Sequence, residues 1–524
     1  MIDALLEEQR VLTAVERFSR SHDPAAGPAQ AKFYRSLIPL SRPGPGQQFG
    51  FEVDLDRCSG CKACVTACHA LNGLDEEESW RSVGLLHSAE ARGPFQATVT
   101  TACHHCVDPG CLSGCPVLAY DKDPETGIVR HLDDQCIGCQ YCVMKCPYEV
   151  PQYSATRGIV RKCDMCSSRL GQGEAPACVQ ACPSQAIRIM LVDQAGLVAQ
   201  LRPPDRRKEN SFLPASPRPE ITVPTTRYVS ARALPTNLRS GGADNPTPAD
   251  GHLPLVFMLV LSQLSVGFLT FSLWLPVSRG GATTGALIGA LALAIGSLHL
   301  GQPLKAWRAF LGWRTSWFSR EVIVFGAYVP LAFLSAAVAW LPLGETWQPY
   351  FAWAAALIGL SAVACSAMLY ADTHRKFWRA TQSFGKFFGT TLVLGLAAVL
   401  AALPRGQSFW AGSLLCASAL KLALEQGIVR HWQAGDAGAC GELDRSAVLL
   451  AGELGLVARV RLACGIVGGM VLPVGFILGA GASAGTRSGL AWSILAGCLA
   501  GELLERSLFF RAVVPDKMPG GFHS

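Results

Sequence analysis

The sequence predicts a chain of two unlike parts: a small α+β domain organised by cysteines, followed by an all-α bundle of eight membrane-spanning helices. Three observations carry this. Of the 21 cysteines, 16 fall in four tight runs between Cys58 and Cys182. Of the 84 charged residues, 54 lie in residues 1–252 and only 30 in the 272 that follow. The second half also holds charge-free apolar runs longer than the ~18 residues that mark a bilayer span. Together they exclude a single soluble globule, intrinsic disorder and a collagen-like repeat. A net charge of +6 over 524 residues gives no support to nucleic-acid binding.

Residues 1–48 read as an N-terminal helical arm, with an amphipathic helix from Asp3 to Arg20 built on Leu5, Leu6, Val11, Leu12, Val15 and Phe18. The first residues lack a basic stretch followed by an apolar one, and the arginine pair Arg206 and Arg207 lies far downstream. No secretory or twin-arginine signal is therefore expected. Residues 49–200 form the cysteine domain, with short β-type runs at Phe51 to Leu55 and Gly127 to His131 between turn signals. Residues 201–252 carry nine prolines and eight Lys or Arg and show no periodicity. They read as a linker, either extended and partly disordered or laid along the surface of a partner.

Residues 253–524 form the membrane part. Its apolar runs are Leu253 to Ser278, Gly280 to Leu304, Val322 to Gly344, Thr346 to Ala371, Phe387 to Pro404, Gly406 to Leu420, Leu462 to Thr486 and Ser488 to Gly501. The fifth, sixth and eighth are the shortest, at 18, 15 and 14 residues, and the last two continue through Lys421 and Glu502. Ionisable groups near or inside lipid are costly and face protein or water, which singles out His299, Glu321, Lys421, Glu425, Glu502 and Glu505. Lys421 and Glu425, four apart on one helix, suit a local ion pair. Glu502 or Glu505 suits a structural pair with Arg506 at a helix end. His299 and Glu321 end one span and open the next, hence on one side of the membrane. With eight spans that side also carries the cysteine domain and loops holding twelve Lys or Arg, against three on the other. The positive-inside rule then places the cysteine domain in the cytoplasm, at the inner membrane.

The cysteine runs are Cys58, Cys61, Cys64, Cys68; Cys103, Cys106, Cys111, Cys115; Cys136, Cys139, Cys142, Cys146; and Cys163, Cys166, Cys178, Cys182. Two are C-x2-C-x2-C-x3-C, an arrangement in which three thiolates wrap one iron-sulfur cube while the fourth serves another, commonly with Pro next. Pro116, Pro147 and Pro183 occupy that place. Structural zinc is the competing reading, since C-x2-C is also its unit. Four cysteines within eleven residues do not comfortably close one tetrahedron, and sixteen ligands divide into four [4Fe-4S] clusters. The other five, Cys365, Cys416, Cys440, Cys464 and Cys498, read as inert buried thiols.

The motifs CHHCVDPGCLSGCP, CIGCQYCVMKCPY and CDMC with CVQACP, in that order, resemble the electron-transfer subunit of the dimethyl sulfoxide reductase group of molybdenum enzymes, over about residues 49–192. The resemblance implies a ferredoxin-like iron-sulfur domain of two pseudo-symmetric halves, in which the first run pairs with the fourth and the second with the third. Carried over, Cys58, Cys61 and Cys64 join Cys182, and Cys163, Cys166 and Cys178 join Cys68. Likewise Cys103, Cys106 and Cys111 join Cys146, and Cys136, Cys139 and Cys142 join Cys115.

SLHLGQPLKAWRAF, SWFSREV, GELLERSLFF and MPGG resemble the eight-helix membrane anchor subunit of the same group. That resemblance implies no haem, a quinol site at His299 and Glu321, and a separate molybdopterin-containing catalytic subunit as partner. The chain then reads as a fused, non-catalytic electron-transfer and anchor subunit that passes electrons from membrane quinol through four [4Fe-4S] clusters to a reductase. A polysulfide or nitrite reductase type of anchor is the neighbouring alternative, against which HLGQP and ERSLFF speak. A membrane-tethered zinc-binding interaction protein is the alternative from another class.

Overall fold

A computed structural model of the chain describes residues 31–88, 95–203, 212–235, 237–243, 245–274, 279–341, 344–403, 408–434, 441–479 and 483–520, with isolated positions at 7, 13, 15, 16 and 481. The helix expected from Asp3 to Arg20 lies almost wholly outside the described residues.

The cysteine domain is built on small sheets and short helices. The strand Gln47–Asp54 buries the continuous run Gln48 to Phe51 and then Val53. It pairs antiparallel with Ile187–Asp193, Gln47 opposite Asp193 and Val53 opposite Ile187. The strand Ser82–Ser88 pairs antiparallel with Phe95–Thr101. Two short hairpins, Tyr120–Lys122 with Val129–His131 and Gln152–Ser154 with Ile159–Arg161, lie in between.

The proline-rich stretch is more than a linker. Arg227–Val229 runs parallel to Gln47–Asp54 as the third strand of its sheet, and Arg239–Ser240 adds a third strand beside Ser82–Ser88. Val223 and Thr225 are buried there. Prolines cannot donate to a ladder and confine such pairing to short pieces at sheet edges, so the segment reads as structureless while it lies along its own chain.

The long helices of the membrane part are α1 (Leu253–Phe271), α2 (Arg279–Ser297), α3 (Trp317–Val338), α4 (Gly344–Ala371), α5 (Ala380–Ala402), α6 (Ser408–Ala434), α7 (Gly455–Ile466, continuing through a π turn to Leu478) and α8 (Ala484–Arg511). Among the described residues six segments are long and apolar enough to cross a membrane: Leu253–Trp274, Arg279–Ser297, Trp317–Val338, Thr346–Ala371, Ala380–Ala402 and Gly455–Leu478. Helices α6 and α8 are long enough but carry buried charge. Central α1 and α5 cross at Gly267 and Gly395, where a methyl on either glycine would meet the other helix's main chain. Small residues at such a crossing let helices approach where lipid supplies no hydrophobic drive.

After α8 the chain returns to the cysteine domain. Lys517 reaches Glu149 at 3.0 Å, Met518 is buried in the core with Trp80, Leu86 and Val99, and Gly520 packs on the main chain of Gly84.

Candidate functional site

The sixteen clustered cysteines come together as four quartets, each drawn from two runs. Cys58, Cys61, Cys64 and Cys182 line one space of about 280 Å³. Cys68 stands with Cys163, Cys166 and Cys178. Cys103, Cys106, Cys111 and Cys146 line a second space of about 360 Å³. Cys115 stands with Cys136, Cys139 and Cys142. We number these quartets first to fourth in that order. The thiols are unpaired, and all but Cys58, Cys61, Cys106 and Cys146 are buried.

Local backbone geometry turns the thiols inward. Gly60, Lys62, Gly138, Gln140, Met165 and Cys166 all have φ between 49 and 75°, a left-handed conformation that bends the chain sharply between successive cysteines. The peptide N–H groups freed by these bends point at sulfur. His105, Gly138 and Met165 donate to Cys103, Cys136 and Cys163 at 3.4 to 3.5 Å, and Ala119 and Ala186 to Cys115 and Cys182 at 3.2 Å. Burial pushes the Cys68 thiol up to about 12 and those of Cys115 and Cys166 to about 11. At Cys136 burial acts the same way but is outweighed by the His131 imidazole and by peptide donors, so that thiol is lowered. Burial thus disfavours the free thiolate at Cys68, Cys115 and Cys166, and a bound cationic group would favour it.

Among the described residues no three His, Cys, Asp or Glu side chains converge tightly enough to hold a single metal ion. Four donor sulfurs standing apart around a shared space suit a polynuclear cluster and do not suit one tetrahedral zinc. Two further residues of this site, His104 and His105, stand inside the CHHC motif, where spacing alone marks only the cysteines. They line the space of the third quartet, each with Nε2 buried and without a hydrogen-bond partner.

The fourth quartet sits on the membrane part. Gln302 donates its peptide N–H to Ile137 at 3.1 Å, Gly312 to Pro116 at 2.7 Å, and the Ser316 hydroxyl reaches Gly114 O at 2.6 Å. Gly138, Gly158 and Gly301 touch main chain to main chain. His299 lies in the turn after α2 with its imidazole against the main chain of Cys139, and burial lowers its pKa to about 4. Its Nε2 has no hydrogen-bond partner, and its ring meets that of His252 edge to face at 5.1 Å. His252 closes the proline-rich stretch, where nothing in the sequence signals this contact. Glu321, in the first turns of α3 and 7% exposed, accepts a hydrogen bond from Ser366 on α4 and faces Tyr141, which stands between Cys139 and Cys142. No hydrogen bond or ion pair joins His299 to Glu321 among the described residues; His299 meets the cysteine run at Cys139 and Glu321 faces it at Tyr141.

Lys421 does pair with Glu425, at 3.4 Å, but the expected local pair is one edge of a larger network. Lys421 also pairs with Glu502 and lies 3.9 Å from Glu505; Arg461 joins Glu425 at 2.8 Å and Glu502 at 3.0 Å; Lys386 reaches Glu505 at 3.3 Å. Arg506 adds contacts to Glu505, Gln263 and Thr390. Side chains from α1, α5, α6, α7 and α8 thus meet in one buried polar knot.

Comparison with known proteins follows the same division. The 4Fe-4S dicluster domain family matches residues 95–192, and the family described as DMSO reductase anchor subunit (DmsC) matches residues 250–511, half of the chain. The chain belongs to the DMSO reductase anchor subunit family. Its cysteine half is similar to the probable anaerobic dimethyl sulfoxide reductase chain YnfG of Escherichia coli K12, 35% identical over 214 residues, 38% of this chain and 97% of that one. The thiosulfate reductase electron transfer subunit PhsB of Salmonella typhi is 38% identical over 151 residues, 27% of this chain and 75% of that one. The hydrogenase-2 operon protein HybA of Escherichia coli O157:H7 is 37% identical over 173 residues, 28% of this chain and 52% of that one. An iron-sulfur electron-transfer subunit and a DmsC-type anchor are here fused in one polypeptide.

Proposed function

We propose that the chain takes electrons from membrane quinol at the junction of α2, α3 and the fourth quartet, and passes them through four [4Fe-4S] clusters to a separate molybdopterin-containing reductase. The observation that carries this is that His299 lies against the main chain of Cys139 and Glu321 faces Tyr141, which opens the helix bearing Cys142: proton-handling groups stand beside the first electron acceptor. When bound, the clusters supply one-electron carriers. The protein does the rest. The sixteen cysteines supply the ligands, quartet by quartet as above. His299, kept neutral by burial, offers Nε2 to a quinol hydroxyl, and Glu321, steadied by Ser366, relays the proton to water at the membrane edge. The path runs from the fourth quartet to the third, from there to the second across the neighbouring Cys103 and Cys163, and ends at the first, where Cys61 is exposed toward a partner.

Helices α6 and α8 complete eight spans in this reading, their charges neutralised within the polar knot. The cluster domain faces the cytoplasm, on the charge bias of the loops.

The test uses membranes containing the whole complex. His299→Ala and Glu321→Gln should abolish reduction of the clusters by a quinol analogue and leave reduction by a soluble dye intact. Normal quinol turnover in both variants would overturn the site, and zinc in place of iron would overturn the clusters.

A further inference from the structure

Two buried cations of the cysteine domain, Arg81 and Lys162, make no direct ion pair with a carboxylate among the described residues. Arg81 is 2% exposed; its guanidinium donates to Thr100 Oγ1 at 3.1 Å, and that oxygen lies 3.5 Å from Cys64 Sγ. It rests over the Phe51 ring at 4.8 Å, and Nη2 has no hydrogen-bond partner. The groups that surround it are the thiols of Cys178, Cys64, Cys163 and Cys68. Lys162, 3% exposed, donates to the carbonyls of Val129 and Cys163, lines the space of the third quartet, and faces Cys103, Cys111, Cys163 and, more weakly, the Asp164 carboxylate.

Burying a cation with no direct ion pair is costly, and an anionic neighbour offsets that cost. A quartet loaded with a cluster is such a neighbour. Four thiolates outweigh the charge of an iron-sulfur core, so a loaded quartet is net anionic, and more so by one electron once reduced. The placement is regular: Arg81 stands between the first and second quartets, Lys162 between the second and third. The joint between third and fourth is instead filled by the neutral phenol of Tyr120, among Cys142, Cys111 and Cys115.

We propose that Arg81 and Lys162 are positioning residues of the electron path, each the fixed counter-charge shared by two adjacent clusters, and that each raises the reduction potential of the two clusters it stands between. The inference rests on the cluster reading above. Each step is a one-electron hop in which one cluster is oxidised as the next is reduced, with no bond made or broken at either cation. The second quartet, flanked by both cations, is raised most and the fourth, flanked by neither, is not raised; fixed charge thus draws an electron from the fourth quartet as far as the second, and the last hop, to the first quartet, gains nothing from it.

The test is an anaerobic redox titration of the purified full chain, followed by paramagnetic resonance, with iron measured on the same samples. Arg81→Met should shift two of the four cluster components to lower potential, each by at least tenfold in its electron-exchange equilibrium, about 59 mV for one electron. Lys162→Met should shift two as well, one of them in common with the first variant, and Arg81→Lys should recover most of its shift. Unchanged midpoints at full iron content would overturn the inference, as would a uniform shift of all four. If the methionine variants lose iron, Arg81→Lys decides: retained iron shows that charge is required, and lost iron shows that guanidinium packing is what matters and removes the proposal. Absence of iron from the unmodified chain would instead sink the cluster reading itself.

Discussion

The phenol of Tyr141 donates to the main-chain carbonyl of Leu369 at 3.0 Å, joining positions 228 residues apart. Tyr141 opens the short helix Tyr141–Lys145 that carries Cys142, and Leu369 lies in the last turn of α4. From the same short helix Lys145 reaches Asp372, at 2.6 Å to its carbonyl and 2.5 Å to its carboxylate. The fourth quartet is therefore bolted to the membrane part by its own cluster-bearing helix, and its distance from Glu321 is set by packing.

Gly138→Ala tests that setting. Gly138 has φ 68°, and a methyl there would meet the main chain of both Gly158 and Gly301, neither of which can swing away. The expected result is a chain that keeps its iron and dye-linked activity but loses most quinol-driven reduction. Equal loss of both activities would show instead that the glycine serves only the cluster fold.

Glu149 links the two parts electrostatically, accepting from Arg375 and Lys517, each at 3.0 Å. Burial alone would raise its carboxyl, but the two cations outweigh it and hold the group below the usual carboxylate range. A depressed folded pKa contributes stability that is present above the unfolded value, ~4.3, and is lost as pH falls through the folded one. Glu149→Gln should lower stability at neutral pH by about 2 kcal/mol. The gap from the unmodified chain should close on acidification; melting curves of both proteins at several pH values check this, and a gap constant with pH would refute it.

Lys421→Met leaves Glu502 buried without one of its cations, and removing one partner of such a pair costs roughly 3–5 kcal/mol. Poor accumulation and early melting in detergent are expected. Lys421→Met combined with Glu502→Gln should melt higher than Lys421→Met alone, because the double change removes both charges. A double variant no better than the single one would contradict the pairing.

Reporter fusions test sidedness. A fusion after residue 524 should report the cytoplasm, as should fusions in the connections at 372–379 and 441–454. A periplasmic signal from any of them would reverse the assignment drawn from loop charge.

The cysteine quartets are partly legible in the sequence because ligand spacing is a local property. C-x2-C-x2-C-x3-C predicts that the fourth thiol serves a different group, and Cys68 and Cys146 do turn to quartets other than those of their own runs. Which run pairs with which comes only through family resemblance. Strands at Phe51 to Leu55 and Gly127 to His131 are visible as alternating runs, and the structure has strands at Gln47–Asp54 and Val129–His131. The polar knot is half visible: Lys421 and Glu425 share a helix, but Arg461 and Lys386 come from other helices, and no periodicity reports that. Arg81 and Lys162 are invisible for the same reason, since an arginine beside a strand looks solvated until its sheet is folded over it. The edge strand Arg227–Val229 is hidden by the surrounding prolines, which argue correctly against a central strand and are silent about an edge.

The return of the chain after α8 has a bearing on the order of synthesis. Residues 212–240 precede the first membrane helix and Met518 follows the last, yet both close the same cysteine-domain core. A ribosome that has made every clustered cysteine has still to thread all the membrane helices before the segment that seals Trp80 and Leu86 emerges. Until then the core around the first and second quartets stays open at the position of Met518. Metal loading can thus precede final closure, and a chain cut short before Met518 never seals the domain. The fusion makes completion of the membrane part a checkpoint for the electron path, which two separately translated subunits would lack.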